Sequence, residues 1–487
     1  MPKVLFGSYQ PDVESIDTEA SSYVHNVIPV PSGYGPLRDL VAIAEALPSR
    51  CLGYLGVLDD DNQSHVFAGT STKLYKLNST TRAWDDVTRT SGGNYVVGSR
   101  EYWDFDLFGQ NVVAVTDGNN PQVFTLGTST DFANLGGSPP QARRVSVVGD
   151  FLVLSGLTAN PNRIQWSALN DITGWTPGVD SSDYQDFPDG GYTVDVASGE
   201  FGLVFQDTAI RRMVFNPVSG GIFDFSRINE DRGLFMPYSL VRIHSASYFY
   251  SSDGFYRIDG SGALTAIGEN KVDATIKSDA DLTNPRYMIG HSDPQSGRIF
   301  WAYKSVGNSN EGYLDKLLIY DWQRNQWSTA SINLEFLSSS IPLSATLEGL
   351  DALGTLDALP FSLDLYQTTP VLKLTGVGPD HVPGYFEGDT LEATLDLPEA
   401  SIGNEVNMVV RGVRPLGDAP SAYVTVGQRQ ALNGAISYST ETAISARGVA
   451  PARVNGRYLT GRLRIPSGTE WTWVRGLDVD AISAGLR

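Results

Sequence analysis

Residues 65–90, HVFAGTSTKLYKLNSTTRAWDDVTRT, decide the fold. His65-Val66-Phe67-Ala68-Gly69 is a short apolar run that stops at glycine. In Lys73-Leu74-Tyr75-Lys76-Leu77, Tyr75 and Leu77 fall on one face, an imperfect form of the period-two pattern of a half-buried strand. Asn78-Ser79-Thr80-Thr81 is a polar turn, and Arg82-Ala83-Trp84-Asp85-Asp86-Val87-Thr88 opens a third strand. Short antiparallel strands in one continuous piece form a meander, the unit of a β-propeller blade. One meander cannot bury its own apolar face, which predicts further copies.

Runs of the same kind recur downstream. The first unit covers Cys51–Thr90. In Tyr102–Leu135, Val112-Val113-Ala114-Val115 meets the turn Asp117-Gly118-Asn119-Asn120 and then Gln122-Val123-Phe124-Thr125, a hairpin signal. Arg144–Trp175 carries Phe151-Leu152-Val153-Leu154 and Arg163-Ile164-Gln165-Trp166, and is read as closing on Trp175, nine residues past Trp166, the spacing of Tyr75 and Trp84. Tyr192–Phe225, Ser239–Ile267 and Arg286–Ile332 supply three more. The expected fold is all-β, a β-propeller of about six blades; the uneven unit lengths leave five or seven open and fit no strict WD or kelch consensus.

The chain has 487 residues, too many for one compact core. Hydrophobic residues at 41% and aromatics at 10% are ample for burial, and 50 glycines with 26 prolines spread along the chain imply many turns. No helix-period apolar stripe of convincing length occurs; Leu40–Leu47 is the best short candidate, and it stops at Pro48. The formal charge of −20 argues against gripping nucleic acid through its phosphates. Cys51 is alone, so no disulfide and no multi-cysteine metal site can form. No signal-peptide pattern and no run of transmembrane length are expected, and so no membrane insertion by this chain.

Four segments are expected. Residues 1–50, rich in Pro, Gly, Ser and acids, read as an extended N-terminal arm lying over the fold or reaching a neighbouring subunit. Residues 51–345 hold the propeller. Residues 346–383 form a connector in which Leu350-Asp351, Leu356-Asp357 and Leu363-Asp364 repeat, too widely spaced for one metal loop. Residues 384–487 form a C-terminal β-sandwich or barrel. In its Arg457–Ile465, Tyr458, Thr460, Arg462 and Arg464 alternate with Leu459, Gly461, Leu463 and Ile465.

The search for chemistry returns no catalytic, cofactor-binding or metal-ligating residue. His25, His65, His244, His291 and His381 are scattered, and no HExxH, G-x-S-x-G, P-loop or dinucleotide fingerprint occurs. Ser252-Asp253-Gly254-Phe255 lacks the tryptophan of a sialidase Asp-box and reads as a hairpin turn. Asp59-Asp60-Asp61-Asn62 and Asp180–Asp189 lack the ligand alternation of an EF-hand loop and read as solvated turns. Asn78-Ser79-Thr80 fits a glycosylation sequon that means little without secretion. Trp471 and Trp473 suit a core more often than a sugar platform.

Three sets of residues together resemble one family. They are Tyr9-Gln10-Pro11-Asp12 with Val24-His25-Asn26-Val27-Ile28-Pro29 and Gly33-Tyr34-Gly35-Pro36-Leu37; the Leu-Asp repeat leading into Phe386-Glu387-Gly388-Asp389-Thr390-Leu391-Glu392-Ala393-Thr394; and Val410-Arg411-Gly412-Val413-Arg414-Pro415, Gly456-Arg457-Tyr458 and Trp471–Val479. This layout resembles the tail nozzle, or hub, proteins of short-tailed double-stranded DNA bacteriophages. The resemblance covers arm, connector and last domain, while the blades match only in type. It implies a virion protein made in the host cytoplasm, a hexameric ring, and contacts with the tail adaptor and portal-side proteins. Tail fibres are a further candidate partner. It also implies a lumen through which the genome leaves, with no catalysis and no cofactor. Six chains of −20 would carry roughly −120, and a like-charged lumen resists DNA adhesion.

A second expectation competes: a carbohydrate-binding or glycan-hydrolysing propeller, with a concave pocket near its axis lined by carboxylates and aromatics.

Overall fold

The computed structural model describes residues 3–14, 16, 18–217, 221–343, 371–401 and 406–484. The chain is almost entirely strand, with one α-helix, Asp273–Asp279, among the described residues. Small antiparallel sheets repeat along it, giving a propeller-like all-β fold. The opening stretch lies in the first: Gly53–Leu58, Ser64–Gly69, Leu74–Leu77 and Trp84–Asp86 pair in order. Tyr75 stands opposite Ala68 on one side and Asp86 on the other.

The next four sheets run 104–134, 144–186, 193–229 and 241–266, each of four consecutive strands. Their apolar residues meet in wedges between neighbouring sheets rather than in one central core. Phe67 of the first sheet packs edge-on against Phe124 of the second at 5.1 Å. Val113 and Val115 of the second meet Leu152 and Leu154 of the third. Phe205 of the fourth packs on Phe249 of the fifth at 5.0 Å, and both rings are fully buried. Each such ring contributes about 1.5–3 kcal/mol by leaving water, so a sheet is stable only between two others.

The third unit closes differently from the expectation. Its outer strand is Asp183–Asp186, paired with Arg163–Trp166, whereas Trp175 lies buried in the wedge between the second and third sheets. Its indole donates to the Ile172 carbonyl at 2.7 Å, within the loop leading to the outer strand.

The sixth unit, Met288–Asp293, Arg298–Tyr303, Leu314–Asp321 and Gln326–Leu334, is followed by a sheet that sequence order hides. Phe336–Ser340, Lys373–Val377 and Pro383–Tyr385 pair in turn, and Val41–Ala42 from the arm adds the fourth strand. Leu40–Leu47, the best short helical candidate, forms no helix: backbone pairing with Gly384 and Tyr385 draws Val41–Ala42 into a strand. The expected boundary at 384 falls inside this sheet, and the later strands start at Ala393. The Leu-Asp repeat, residues 350–365, lies outside the described residues.

The rest of the arm is woven through the molecule. Lys3–Leu5 pairs with Val474–Ser483, as does the hairpin Val27–Val30/Gly33–Pro36 through Tyr34. Val24–His25 pairs with Thr329 of the sixth unit on one side and with Ala393–Asp396 on the other, making one continuous ten-stranded sheet. The sheet continues through Tyr458–Ile465 and Tyr423–Arg429. There Leu459, Gly461, Leu463 and Ile465 are buried as the alternation predicts, and Tyr458 is buried as well. Arg462 and Arg464 face outward, onto Asp396 at 2.7 Å and Glu441 at 2.7 Å.

Asp12 ties the arm to the helix. Its carboxylate accepts from the Ala274 and Thr275 amides, both at 2.8 Å, and from the Thr275 hydroxyl at 2.6 Å. The residue at the helix's own cap position, Val272, makes no side-chain cap bond, so Asp12 supplies the missing acceptor from the far end of the chain. Asp12→Ala is expected to cost about 1 kcal/mol locally, roughly a fivefold faster exchange of the Ala274 and Thr275 amides. Hydrogen–deuterium exchange reads this directly; unchanged protection would show that the cap is not stabilising.

Candidate functional site

The first strands of the second, third and fourth sheets place charged side chains side by side. Asp104-Phe105-Asp106-Leu107-Phe108 alternates, so Phe105 and Leu107 pack with the core while Asp104 and Asp106 turn toward the third sheet. There Asp104 accepts from the Val145 amide at 2.8 Å, and Asp106 from the Val147 amide at 2.8 Å and the Ser198 hydroxyl at 3.1 Å. Neighbouring first strands share no backbone ladder at this point, so the carboxylates satisfy amides that would otherwise be buried without a partner. Ser146 serves the same purpose toward the fourth sheet, donating to the Val196 carbonyl at 2.5 Å.

Arg144, 4% exposed, is the cation of this cluster. Its guanidinium lies 3.6 Å from Asp104 and 3.5 Å from Asp195, with Cζ 3.7 Å from the centre of the Tyr238 ring. Burial opposes its charge, but the surrounding phenol and carboxylates outweigh burial and hold it firmly protonated. Burial pushes Asp106 up to about 6, against its amide bonds and with repulsion from Asp104 adding to the rise. Burial also raises Asp195 and Asp104, each despite the pull of Arg144.

Above the cluster opens a cleft of ≈ 320 Å³. Arg143 enters its wall, its Nε 3.2 Å from Glu101 and its Nη2 2.8 Å from Asp117. Tyr238 donates to Glu101 at 3.4 Å while its oxygen accepts from the Tyr102 amide at 2.8 Å. Burial raises the Glu101 carboxyl above its ordinary range, more than Arg143 lowers it. Asp207, Thr193, Tyr192 and Phe235 complete the mouth, and the last two rings are exposed by 59% and 47%.

None of the residues weighed for chemistry in the sequence enters this cleft. His65 binds Asp59 at 2.8 Å, His291 binds Ser339 at 2.9 Å, and His381 binds Glu335 at 2.8 Å. His25 stacks on Tyr23 and meets Thr329, and His244 lies in a turn with positive φ. Asp59 accepts from the Asp61 and Gln63 amides as a turn residue does, and Asp253 binds Arg232. Trp471 is buried, and Trp473 is 37% exposed beside Leu5 and Leu416. Burial pushes the Cys51 thiol up to about 12, which leaves it unreactive. Among the described residues no group of three or more His, Cys, Asp or Glu is placed to hold a metal ion. No described helix is long and apolar enough to cross a membrane.

No protein-family model and no curated protein matches the chain. Three solved structures show low likeness. A nidogen/laminin complex chain is 9% identical, with TM-score 0.33, covering 55% of this chain and 93% of its own. The extracellular domain of a protein from B. thetaiotaomicron described as a one-component system is 10% identical, with TM-score 0.37, covering 84% and 50%. A protein from Bacteroides fragilis described as exported is 12% identical, with TM-score 0.31, covering 58% and 91%. None of the three is described as a phage tail protein, and at these scores they support no function.

Proposed function

We propose that this chain is a structural virion protein, a ring-forming tail nozzle or hub. In this reading it joins the portal-side adaptor to the distal tail, forms part of the conduit for the genome, and catalyses nothing. One observation supports it best. The residues that carry the resemblance are scattered from Tyr9 to Val479, yet most of the described ones converge on one module. Val27–Val30 and Gly33–Pro36 join Met408–Gly417 and Val474–Ser483 in one sheet, and Val24–His25 joins Ala393–Asp396 in the other. That residues so far apart in sequence meet in one module supports reading the resemblance as a single unit.

The same reading extends to the finer architecture. The propeller has seven blades, one more than the six units legible in sequence, with Val41–Ala42 closing the last. Contacts between first strands support a closed ring: Trp103 donates to the Leu52 carbonyl at 2.6 Å, His291 meets Ser339, and Ser338 donates to the Tyr54 carbonyl at 3.0 Å, linking last sheet to first. The strands from Ala393 onward, with those of the arm, form a β-sandwich.

The test is assembly. Purified chain, alone and mixed with its tail adaptor, is examined by light scattering and negative-stain electron microscopy. Six-fold rings with a central opening, and no retention of duplex DNA at physiological salt, are the expected result. A chain that stays monomeric at high concentration and has no affinity for adaptor or portal proteins overturns the reading.

A further inference from the structure

We propose that the cleft over Arg144 is a binding site for a neutral, hexose-based oligosaccharide. Its ≈ 320 Å³ lies at the small end of the range for ligand sites, about 300–1,000 Å³. Two features of its mouth set the ligand class. Tyr192 and Phe235 are large rings left in water at the mouth, beside charged side chains. Such faces suit an amphipathic partner that lays C–H bonds on an aromatic ring while keeping hydroxyls free.

The second feature is the balance of charge. Glu101 and Asp207 offer acceptors and Arg100 and Arg143 offer donors, while the third arginine of the lining, Arg144, is matched by Asp104 and Asp195 beneath it. Adjacent hydroxyls bridge a carboxylate and a guanidinium without either losing its charge partner. A phosphate or carboxylate ligand would meet Glu101 and Asp207 at close range, and a cation would meet the three arginines.

The polar groups are already held in place. Glu101 is fixed by Arg143 and Tyr238, Arg143 is also fixed by Asp117, and Asp207 accepts from the Tyr192 amide at 2.8 Å. A site ordered before binding spends little entropy on ordering afterwards. The proposal goes beyond assembly into a ring and does not depend on it, since the cleft is built within one chain.

The experiment uses the full chain on an array of maltoheptaose, cellohexaose, mannohexaose and chitohexaose beside sialylated and sulfated oligosaccharides of similar length. The tightest neutral binder is then titrated by calorimetry. Saturable binding to at least one neutral sugar is expected, with Tyr192→Ala and Phe235→Ala each weakening it by about tenfold. Tyr192→Phe keeps the stacking face and retains binding, and Tyr438→Ala, an exposed ring of the last sheet, leaves it unchanged. Absence of neutral-sugar binding at millimolar concentration, binding confined to the anionic sugars, or binding that survives both alanine substitutions overturns the proposal. Ring formation, read on the same samples, moves independently of these outcomes.

Discussion

A chain that begins at Ile43 is expected not to yield a soluble, monodisperse protein. Residues 1–42 look dispensable by composition, yet they supply Val24, Val27, Tyr34 and Leu37, all at most 4% exposed, to two separate cores. Burial of four such side chains contributes on the order of 10 kcal/mol, comparable to the whole stability of a typical domain, roughly 5–15 kcal/mol. Removal also bares backbone edges at Val474–Ser483, Ala393–Asp396 and Pro383–Tyr385, where arm strands now pair. Unpaired edges of this kind recruit other chains. Light scattering and circular dichroism of the truncated chain check the expectation, with aggregation or loss of strand signal as the predicted result. Adding residues 1–42 as a separate peptide during refolding should recover soluble protein. A truncated monomer with an unchanged spectrum would mean that the arm only decorates a self-sufficient body.

Which parts of this architecture were legible follows from range. The apolar alternation of Val112–Val115 or Phe151–Leu154 is local, so the repeated sheets could be read directly. Val24–His25 and Val41–Ala42 are two-residue strands with no period to detect, and their partners lie more than 300 positions away. For that reason the sheet that Val41–Ala42 completes does not stand out in the sequence, and the arm reads as lying over the fold or reaching a neighbouring subunit. The buried cluster was hidden for another reason. Asp104, Asp106, Arg144 and Asp195 sit at ordinary polar positions of short strands and form no motif. The available signal was Asp104-Phe105-Asp106-Leu107-Phe108, two aspartates on one face of an otherwise apolar strand. Nothing local says that this face is buried, because the neighbouring sheet that buries it begins 40 residues later.

Arg144→Met should produce the largest effect of any single substitution at the buried cluster, and the effect should depend on pH. At pH 8 the variant leaves Asp104 and Asp195 buried beside each other without their cation, a loss of about 3–5 kcal/mol. Burial already raises these carboxyls and Asp106 above the ordinary range, and removing Arg144 raises them further. A carboxyl whose folded value exceeds its unfolded value stabilises the fold below the unfolded value, and that contribution is lost as pH rises through the folded one. The defect should therefore shrink as pH falls from 8 toward 5, where the folded variant takes up protons. His291 works in the opposite sense, since burial lowers it to about 4 and favours its neutral form. Its contribution is the same in both proteins, so the difference between them isolates the cluster. Exchange of the Val145 and Val147 amides, which the aspartates hold, provides the measurement at each pH. Arg144→Lys, which keeps a charge but not the stack on Tyr238, should fall between wild type and Arg144→Met at pH 8. An equal defect at pH 5 and pH 8 would mean that the arginine acts through packing alone. In that case the aspartates would owe their place to the amides they accept from, and not to the cation between them.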